Sequence, residues 1–163
     1  MKAIIITGTP GTGKTVLAKA LAEKLSYSCV DVNKIIAKYH ISEGYDEKRK
    51  TKIIDTKKLS KSLIKEISSL KKTKVEGIII DSHLSHYLPK KYADLCIVTK
   101  CDLKTLKKRL KKKKYHKDKI RENLDAEIFD VCLEEAKQGG HKVTIIDTTK
   151  GIQINRVIKK LNL

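Results

Sequence analysis

Eight residues near the start of the chain, Gly8-Thr9-Pro10-Gly11-Thr12-Gly13-Lys14-Thr15, read G-x-x-x-x-G-K-T; they follow the apolar run Ala3 to Thr7 and open an amphipathic segment. An apolar strand, a glycine turn and a helix start in that order are what a phosphate-binding loop requires. The glycines let consecutive N–H groups turn inward around phosphate oxygens, and the positive end of the following helix adds to the same field. Gly11, Thr12, Gly13, Lys14, Thr15 and Val16 are the candidates for binding a nucleoside triphosphate. In this arrangement the Lys14 ammonium reaches the β- and γ-phosphates, and the Thr15 hydroxyl ligates a magnesium ion.

A strand feeding such a loop belongs in a parallel sheet, and the rest of the chain supplies one. Apolar runs of strand length alternate with segments of helical period, the sequence form of an α/β fold with helices on both faces of the sheet. Five strands are expected: Ala3 to Thr7, Ser28 to Val32, Gly77 to Asp81, Leu95 to Thr99 and Val143 to Asp147. Val16, Leu17, Ala20, Leu21 and Leu25 form the apolar stripe of a first helix, and Leu59, Leu63, Ile67 and Leu70 that of a later one capped by Asp55. Ile120, Leu124, Ile128 and Val131 fall on one face of a long helix ending before Gly139-Gly140, and Val157, Ile158 and Leu161 mark a short terminal helix. Two polar stretches, His40 to Lys52 and Lys107 to Asp118, break the alternation. They read as insertions over the carboxyl edge of the sheet, where such folds bind ligands.

A length of 163 residues suits one domain with small insertions. No run approaches membrane-spanning length, and the glycine loop follows only five apolar residues, unlike a signal peptide, so a cytoplasmic protein without membrane association is expected. Cys29, Cys96, Cys101 and Cys132 form no C-x-x-C pair and read as reduced thiols. The net charge of +18, from 37 basic residues of which only Arg49, Arg109, Arg121 and Arg156 are arginines, favours polyanionic partners such as nucleotides or structured RNA. It does not choose between them, and the abundance of lysine also suits adaptation to heat.

Ile78-Ile79-Ile80-Asp81 is an apolar strand ending in a carboxylate, the means by which phosphate-loop proteins set an acidic group beside magnesium. His83 falls on the same rim and is a candidate for orienting water or the magnesium shell. Thr99-Lys100-Cys101-Asp102 matches the [NT]-K-x-D pattern that reads guanine, which argues for a GTPase. Against it, Asp81 is followed by Ser82-His83-Leu84, without the glycine that senses a γ-phosphate, and Asp102 is explained as the N-cap of a helix beginning at Leu103.

With these residues in view, the chain resembles the adenylate kinase isoenzyme 6 type family, which includes archaeal proteins and nuclear ATPases that interact with coilin. Besides the phosphate loop, the likeness rests on Gly44-Tyr45-Asp46-Glu47 with Asp55 nearby, on Asp81-Ser82-His83, on Tyr115 followed by Lys119-Ile120 and Glu122-Asn123, and on Ala126-Glu127-Ile128-Phe129. The resemblance implies a nucleoside monophosphate kinase fold, with a monophosphate-binding region near residues 31–54 and a short lid over 112–122. It implies the reaction ATP + AMP giving two ADP, with magnesium as cofactor, Lys14, Asp81 and His83 as catalytic residues, and Thr15 and Asp81 at the metal. It further implies ATP hydrolysis and a part in small ribosomal subunit maturation, through a small-subunit ribosomal protein and rRNA, by a monomeric protein. The alternative is an assembly ATPase or GTPase with little kinase activity.

Two departures from the family pattern stand out. Lys113 occupies a lid position often held by arginine, and lysine lacks the planar fork that grips phosphate; Arg109, one helical turn earlier, is the candidate to compensate. The monophosphate region likewise has no arginine on the helix Asn33 to Tyr39, leaving Asn33, Lys34, Lys38 and Arg49 as acceptor-site candidates. Adenine is expected between the lid and the loop Thr148 to Gly151, with Lys150 in reach.

Overall fold

The computed structural model describes residues 1–48 and 51–163, Thr51 by its backbone alone. The chain runs β1 (Lys2–Thr7), α1 (Lys14–Leu25), β2 (Ser28–Asp31), α2 (Val32–Lys38), β3 (Ser42–Asp46), β4 (Thr51–Ile54), α3 (Thr56–Leu70) and β5 (Gly77–Asp81). Short 3-10 turns at Ser85–Tyr87 and Lys90–Tyr92 lead to β6 (Leu95–Lys100), α4 (Leu103–Lys112), α5 (Lys117–Ile128), α6 (Val131–Gln138), β7 (Val143–Asp147) and α7 (Ile154–Leu161).

The five expected strands form one parallel sheet in the order β2-β5-β1-β6-β7. Successive side chains on a strand point to opposite faces, and the two cores divide accordingly. Ile5, Ile78, Ile80 and Val98 face Ile36 of α2, Leu59, Leu63 and Ile67 of α3, and Leu133 and Ala136 of α6. Ile4, Ile6, Ile79, Ile97 and Ile146 face Leu17, Ala18 and Leu21 of α1 with Val157 and Leu161 of α7. Each such aliphatic side chain contributes about 1.5–3 kcal/mol by leaving water. Asp55 caps α3, accepting from the N–H groups of Lys57 and Lys58, and Asp102 caps α4, accepting from Thr105.

A third, smaller cluster lies outside the sheet. Leu106 and Leu110 of α4 pack on Ile120 of α5 and on Cys101, with Tyr115 and Leu124 at its margin. Residues 112–122, expected as a lid, run from the end of α4 through the turn into α5, two helices that share this apolar centre.

Two expectations need correction. Val16 is 64% exposed and lies off the α1 stripe, which is Leu17, Ala18 and Leu21. The stretch expected as an insertion, His40 to Lys52, carries a hairpin outside the main sheet: β3 and β4 pair antiparallel, from Ser42 opposite Ile54 to Asp46 opposite Thr51. The long helix after residue 117 is two helices, because Asp130 adopts a left-handed conformation at φ 54° and turns the chain between α5 and α6. Aspartate tolerates that conformation better than most residues, and Lys100 holds the elbow by donating to the Glu127 carbonyl at 3.2 Å and pairing with the Asp130 carboxylate. Ile128 and Val131, expected on the buried face, stay exposed at 53% and 39%.

Candidate active site

The phosphate loop joins the carboxyl end of β1, the central strand, to α1. Gly8 has φ 137°, and a Cβ there would lie 2.5 Å from the Thr99 carbonyl, so only glycine lets the loop pass over β6. Gly13, at φ 91°, caps α1 and leaves the first amides of that helix directed into the loop. The loop's underside is fixed by hydroxyls: Thr12 donates to the Thr9 carbonyl at 2.8 Å and meets the Thr99 hydroxyl at 2.7 Å. Thr148, from the loop after β7, donates to the Thr12 carbonyl at 2.6 Å.

Lys14 Nζ lies within this ring, donating to the carbonyls of Gly8 at 2.7 Å and Thr9 at 3.0 Å. Burial lowers its pKa to about 8, against the opposing pull of Cys132 and Asp81. A buried ammonium so incompletely compensated is a strong attractor for polyphosphate.

Asp81 ends β5, beside β1, with Ile6 as its register partner. It is buried, and burial raises its carboxyl above the usual range although a bond from Thr15 and the charge of Lys14 pull it down. Its Oδ1 is buried without a hydrogen-bond partner. An orphaned carboxylate oxygen beside a threonine hydroxyl suits magnesium, which takes one or two carboxylates and completes its shell with phosphate and water. Among the described residues no group of three or more His, Cys, Asp or Glu comes together, so such an ion would depend on the substrate for its remaining ligands.

His83 stands on the same rim, exposed to the water of the cleft. Surrounding protein, together with Lys14, His86 and Lys119, lowers its pKa to about 4, so the imidazole is neutral at physiological pH and one ring nitrogen can accept from water. His86 is tied into the scaffold. Its Nδ1 lies 2.8 Å from the Thr7 hydroxyl and its Nε2 2.9 Å from Glu135, the latter at contact distance but off hydrogen-bonding alignment.

These groups line a cleft of about 1000 Å³. Of the proposed donor-site residues, Gly11, Gly13, Lys14, Thr15, Val16, Arg109 and Lys113 line it, as do Asp81 and His83. Thr12 lies beneath, its side chain turned to Thr99. Arg109 also braces the loop, donating to the Thr148 hydroxyl at 3.0 Å and carbonyl at 2.7 Å. Lys150 does not line the cleft; Thr148 and Gly151 are the residues of that loop that do. On the acceptor side Asn33 lines it, whereas Lys34 and Lys38 do not. Lys38 is held away by Glu66, which also accepts from the Tyr39 hydroxyl at 2.8 Å. Arg49 lies outside the described residues.

Sequence reasoning missed Tyr87, Cys132 and Glu135, which line the same cleft. They come from a 3-10 turn and from α6, and no motif marked them. Glu127 was part of a motif without a role, yet it is a buried carboxylate that accepts from the Thr9 hydroxyl at 2.6 Å and from the Cys101 N–H at 3.2 Å. The Thr99–Asp102 segment that suggested guanine recognition is engaged within the protein, with Lys100 on the α5–α6 elbow and the Asp102 carboxylate bonded to Thr105 N–H and hydroxyl at 2.8 and 2.7 Å.

A family model described as an AAA domain matches residues 4–130. The protein named "putative adenylate kinase" of Methanocaldococcus jannaschii is 42% identical over 146 residues, 90% of this chain and 76% of the relative. The adenylate kinase isoenzyme 6 homolog of Dictyostelium discoideum is 33% identical over 144 residues, 88% of this chain and 79% of the relative. Among solved structures, a deoxyadenosine kinase from M. mycoides with bound dATP superposes with a TM-score of 0.61 at 20% identity, covering 100% of both chains. A shikimate kinase from Bacteroides thetaiotaomicron gives 0.55 at 15% identity over 99% of each. At those identities the two structures speak for the fold, that of the phosphate-loop kinases.

Proposed function

The chain belongs to the adenylate kinase isoenzyme 6 family, and on that premise we propose that it transfers the γ-phosphoryl group of ATP to AMP, giving two ADP, with magnesium as cofactor. The observation that carries this reading is one continuous cleft flanking the phosphate loop on both sides. Asn33, following β2, lines one flank, while Arg109 and Lys113, following β6, line the other. Its volume, about 1000 Å³, is at the upper end of what single-ligand pockets reach, leaving room for a donor and an acceptor.

In this mechanism no side chain becomes covalently attached to the phosphoryl group. An oxygen of the AMP phosphate attacks the γ-phosphorus in line as the bond to the β-bridging oxygen breaks, and catalysis consists of positioning and charge stabilisation. Lys14 neutralises charge spreading over the β- and γ-oxygens, and the amides at the start of α1 orient them. Thr15 and Asp81 would hold a magnesium ion, which would supply further neutralisation of the phosphate charge. Val16 offers exposed apolar surface on the cleft wall, and Lys113 with Arg109 brings positive charge from the lid side.

A second activity, hydrolysis of ATP, is proposed on the strength of His83, whose neutral imidazole on the rim can orient an attacking water. A part in small ribosomal subunit maturation rests on the family and on the charge of α4, where Lys104, Lys107, Lys108, Lys111 and Lys112 are all exposed. Turnover of ATP and GTP with AMP, CMP, UMP or no acceptor tests the reading. AMP should accelerate ATP consumption, with two ADP formed per ATP consumed. Consumption indifferent to every monophosphate would replace the kinase by an ATPase.

A further inference from the structure

The buried carboxylate of Glu127 has no task in the reaction proposed above, yet it joins three parts of the molecule. It sits in the last turn of α5, the second lid helix. One oxygen accepts from the hydroxyl of Thr9 in the phosphate loop at 2.6 Å. The other accepts from the N–H of Cys101, just past β6, at 3.2 Å, and lies 3.5 Å from Lys100 Nζ. Thr9 is itself 1% exposed, and its carbonyl accepts from Lys14 Nζ at 3.0 Å and from the Thr12 hydroxyl at 2.8 Å. Glu127 thus holds the residue on which the ammonium rests.

The segment carrying Thr99, Lys100, Cys101 and Asp102 completes the connection. Thr99 meets Thr12 beneath the loop, Lys100 holds the elbow between α5 and α6, the Cys101 N–H binds Glu127, and Asp102 caps α4. Both lid helices and the phosphate loop are therefore fastened to four consecutive residues. A hydrogen bond to a buried carboxylate is among the stronger ones available, and losing either partner leaves the other desolvated and unmatched. Movement of α5 over bound nucleotide is constrained to act on Thr9, and through its carbonyl on Lys14.

We infer that Glu127 is a positioning residue of the phosphate loop, coupling the lid helix α5 to Lys14 through the Thr9 hydroxyl. The inference deepens the proposed function and rests on its premise that the loop binds the ATP phosphates. It requires that the Thr9 hydroxyl and the Glu127 carboxylate act as one unit. Glutamine at 127 keeps the shape but offers only one acceptor oxygen to two donors; valine at 9 keeps the branched shape and removes the hydroxyl, while serine keeps the hydroxyl.

The test measures MgATP affinity by titration calorimetry and ATP turnover for wild type, Glu127→Gln, Thr9→Val, Thr9→Ser and the Thr9→Val/Glu127→Gln double variant. Unfolding midpoints are followed alongside. Glu127→Gln and Thr9→Val should each weaken MgATP binding by about tenfold, as expected for one charge-assisted bond, and lower kcat as well. The double variant should be no worse than about twofold beyond either single one, because the second change removes a bond already lost. Thr9→Ser should restore wild-type values. Should Glu127→Gln fail to fold, Thr9→Val against Thr9→Ser carries the test alone. Wild-type behaviour of Thr9→Val, or losses that multiply in the double variant, would overturn the inference while leaving the ATP site intact. Absence of MgATP binding by the wild-type protein would instead strike the proposed function itself.

Discussion

The two flanks of the cleft are built differently. On the side after β6, α4 and α5 share an apolar centre of Leu106, Leu110 and Ile120, and Arg109, Thr148 and Glu127 fasten that unit to the phosphate loop by bonds of 2.6–3.0 Å. On the side after β2, Asn33 lines the cleft, and the β3–β4 hairpin beyond it, of which no described residue lines the cleft, leaves Tyr45 and Ile53 half in water at 51% and 50%. Its ion pair to α3, Glu43 with Lys58 at 3.1 Å, lies on the surface, where such pairs contribute little. Under the proposed function, the difference separates two tasks. Gripping a triphosphate demands donors already in place, whereas a flank with exposed aromatic and aliphatic surface has area left to bury against a ligand.

If the β6 flank and the loop hold the reacting groups, substitutions there should strike turnover hardest. Lys14→Met should lower turnover by roughly 10²–10³-fold, the usual loss when one preorganised charge-stabilising group is removed. It should not lower the unfolding midpoint, because the cost of burying the ammonium disappears with the charge. Asp81→Asn should raise the magnesium concentration for half-maximal activity by about 10–100-fold, measured by metal titration at saturating nucleotide. A variant that lost turnover without a changed magnesium requirement would move Asp81 away from the metal. Gly8→Ala should act through the fold, costing about 3 kcal/mol in chemical denaturation, because the backbone at φ 137° and the Thr99 carbonyl both resist a Cβ.

The hairpin should respond in the opposite sense. Tyr45→Ala should raise KM for AMP by about threefold to tenfold if the ring packs on the acceptor, while stability changes by no more than about 0.5 kcal/mol, as for other surface positions. ATP affinity should stay within about twofold of wild type by the same surface argument. An equal loss of ATP and AMP affinity would erase the distinction between the flanks.

The same division governed what could be read from the sequence. The central strands β1, β5 and β6 announced themselves because a strand buried on both faces must be apolar throughout, as Ile78-Ile79-Ile80 is, and the glycine loop because backbone close approach admits few residues. The hairpin escaped because β3 buries almost nothing, so Ser42 to Asp46 carries no alternation. The elbow at Asp130 escaped for a different reason. Ile120, Leu124, Ile128 and Val131 keep helical spacing across it, and a single left-handed residue leaves no periodic trace. Glu127 was legible as part of a pattern, but its partners Thr9 and Cys101 are distant in sequence and meet only when β1 and β6 pair.

The remaining expected effects are read only in the pH dependence of stability, and they sharpen the comparison because both arise beside the phosphate loop. Lys14 titrates near 8 when folded and at 10.5 when unfolded, so between those values the unfolded chain binds more protons and stability rises with pH. His83 titrates near 4 when folded and at 6.5 when unfolded, so stability falls as pH drops across that window. Because His83 is exposed to the water of the cleft, the desolvation that lowers its pKa is only partial, which keeps its contribution small. Thermal unfolding followed from pH 4 to 10.5 should show Lys14→Met flattening the alkaline slope and His83→Gln the acidic one, while Tyr45→Ala leaves both unchanged. An acidic slope undiminished in His83→Gln would mean that the desolvated imidazole is not its source, and an alkaline slope altered by Tyr45→Ala would mean that the hairpin shapes the surroundings of Lys14 after all.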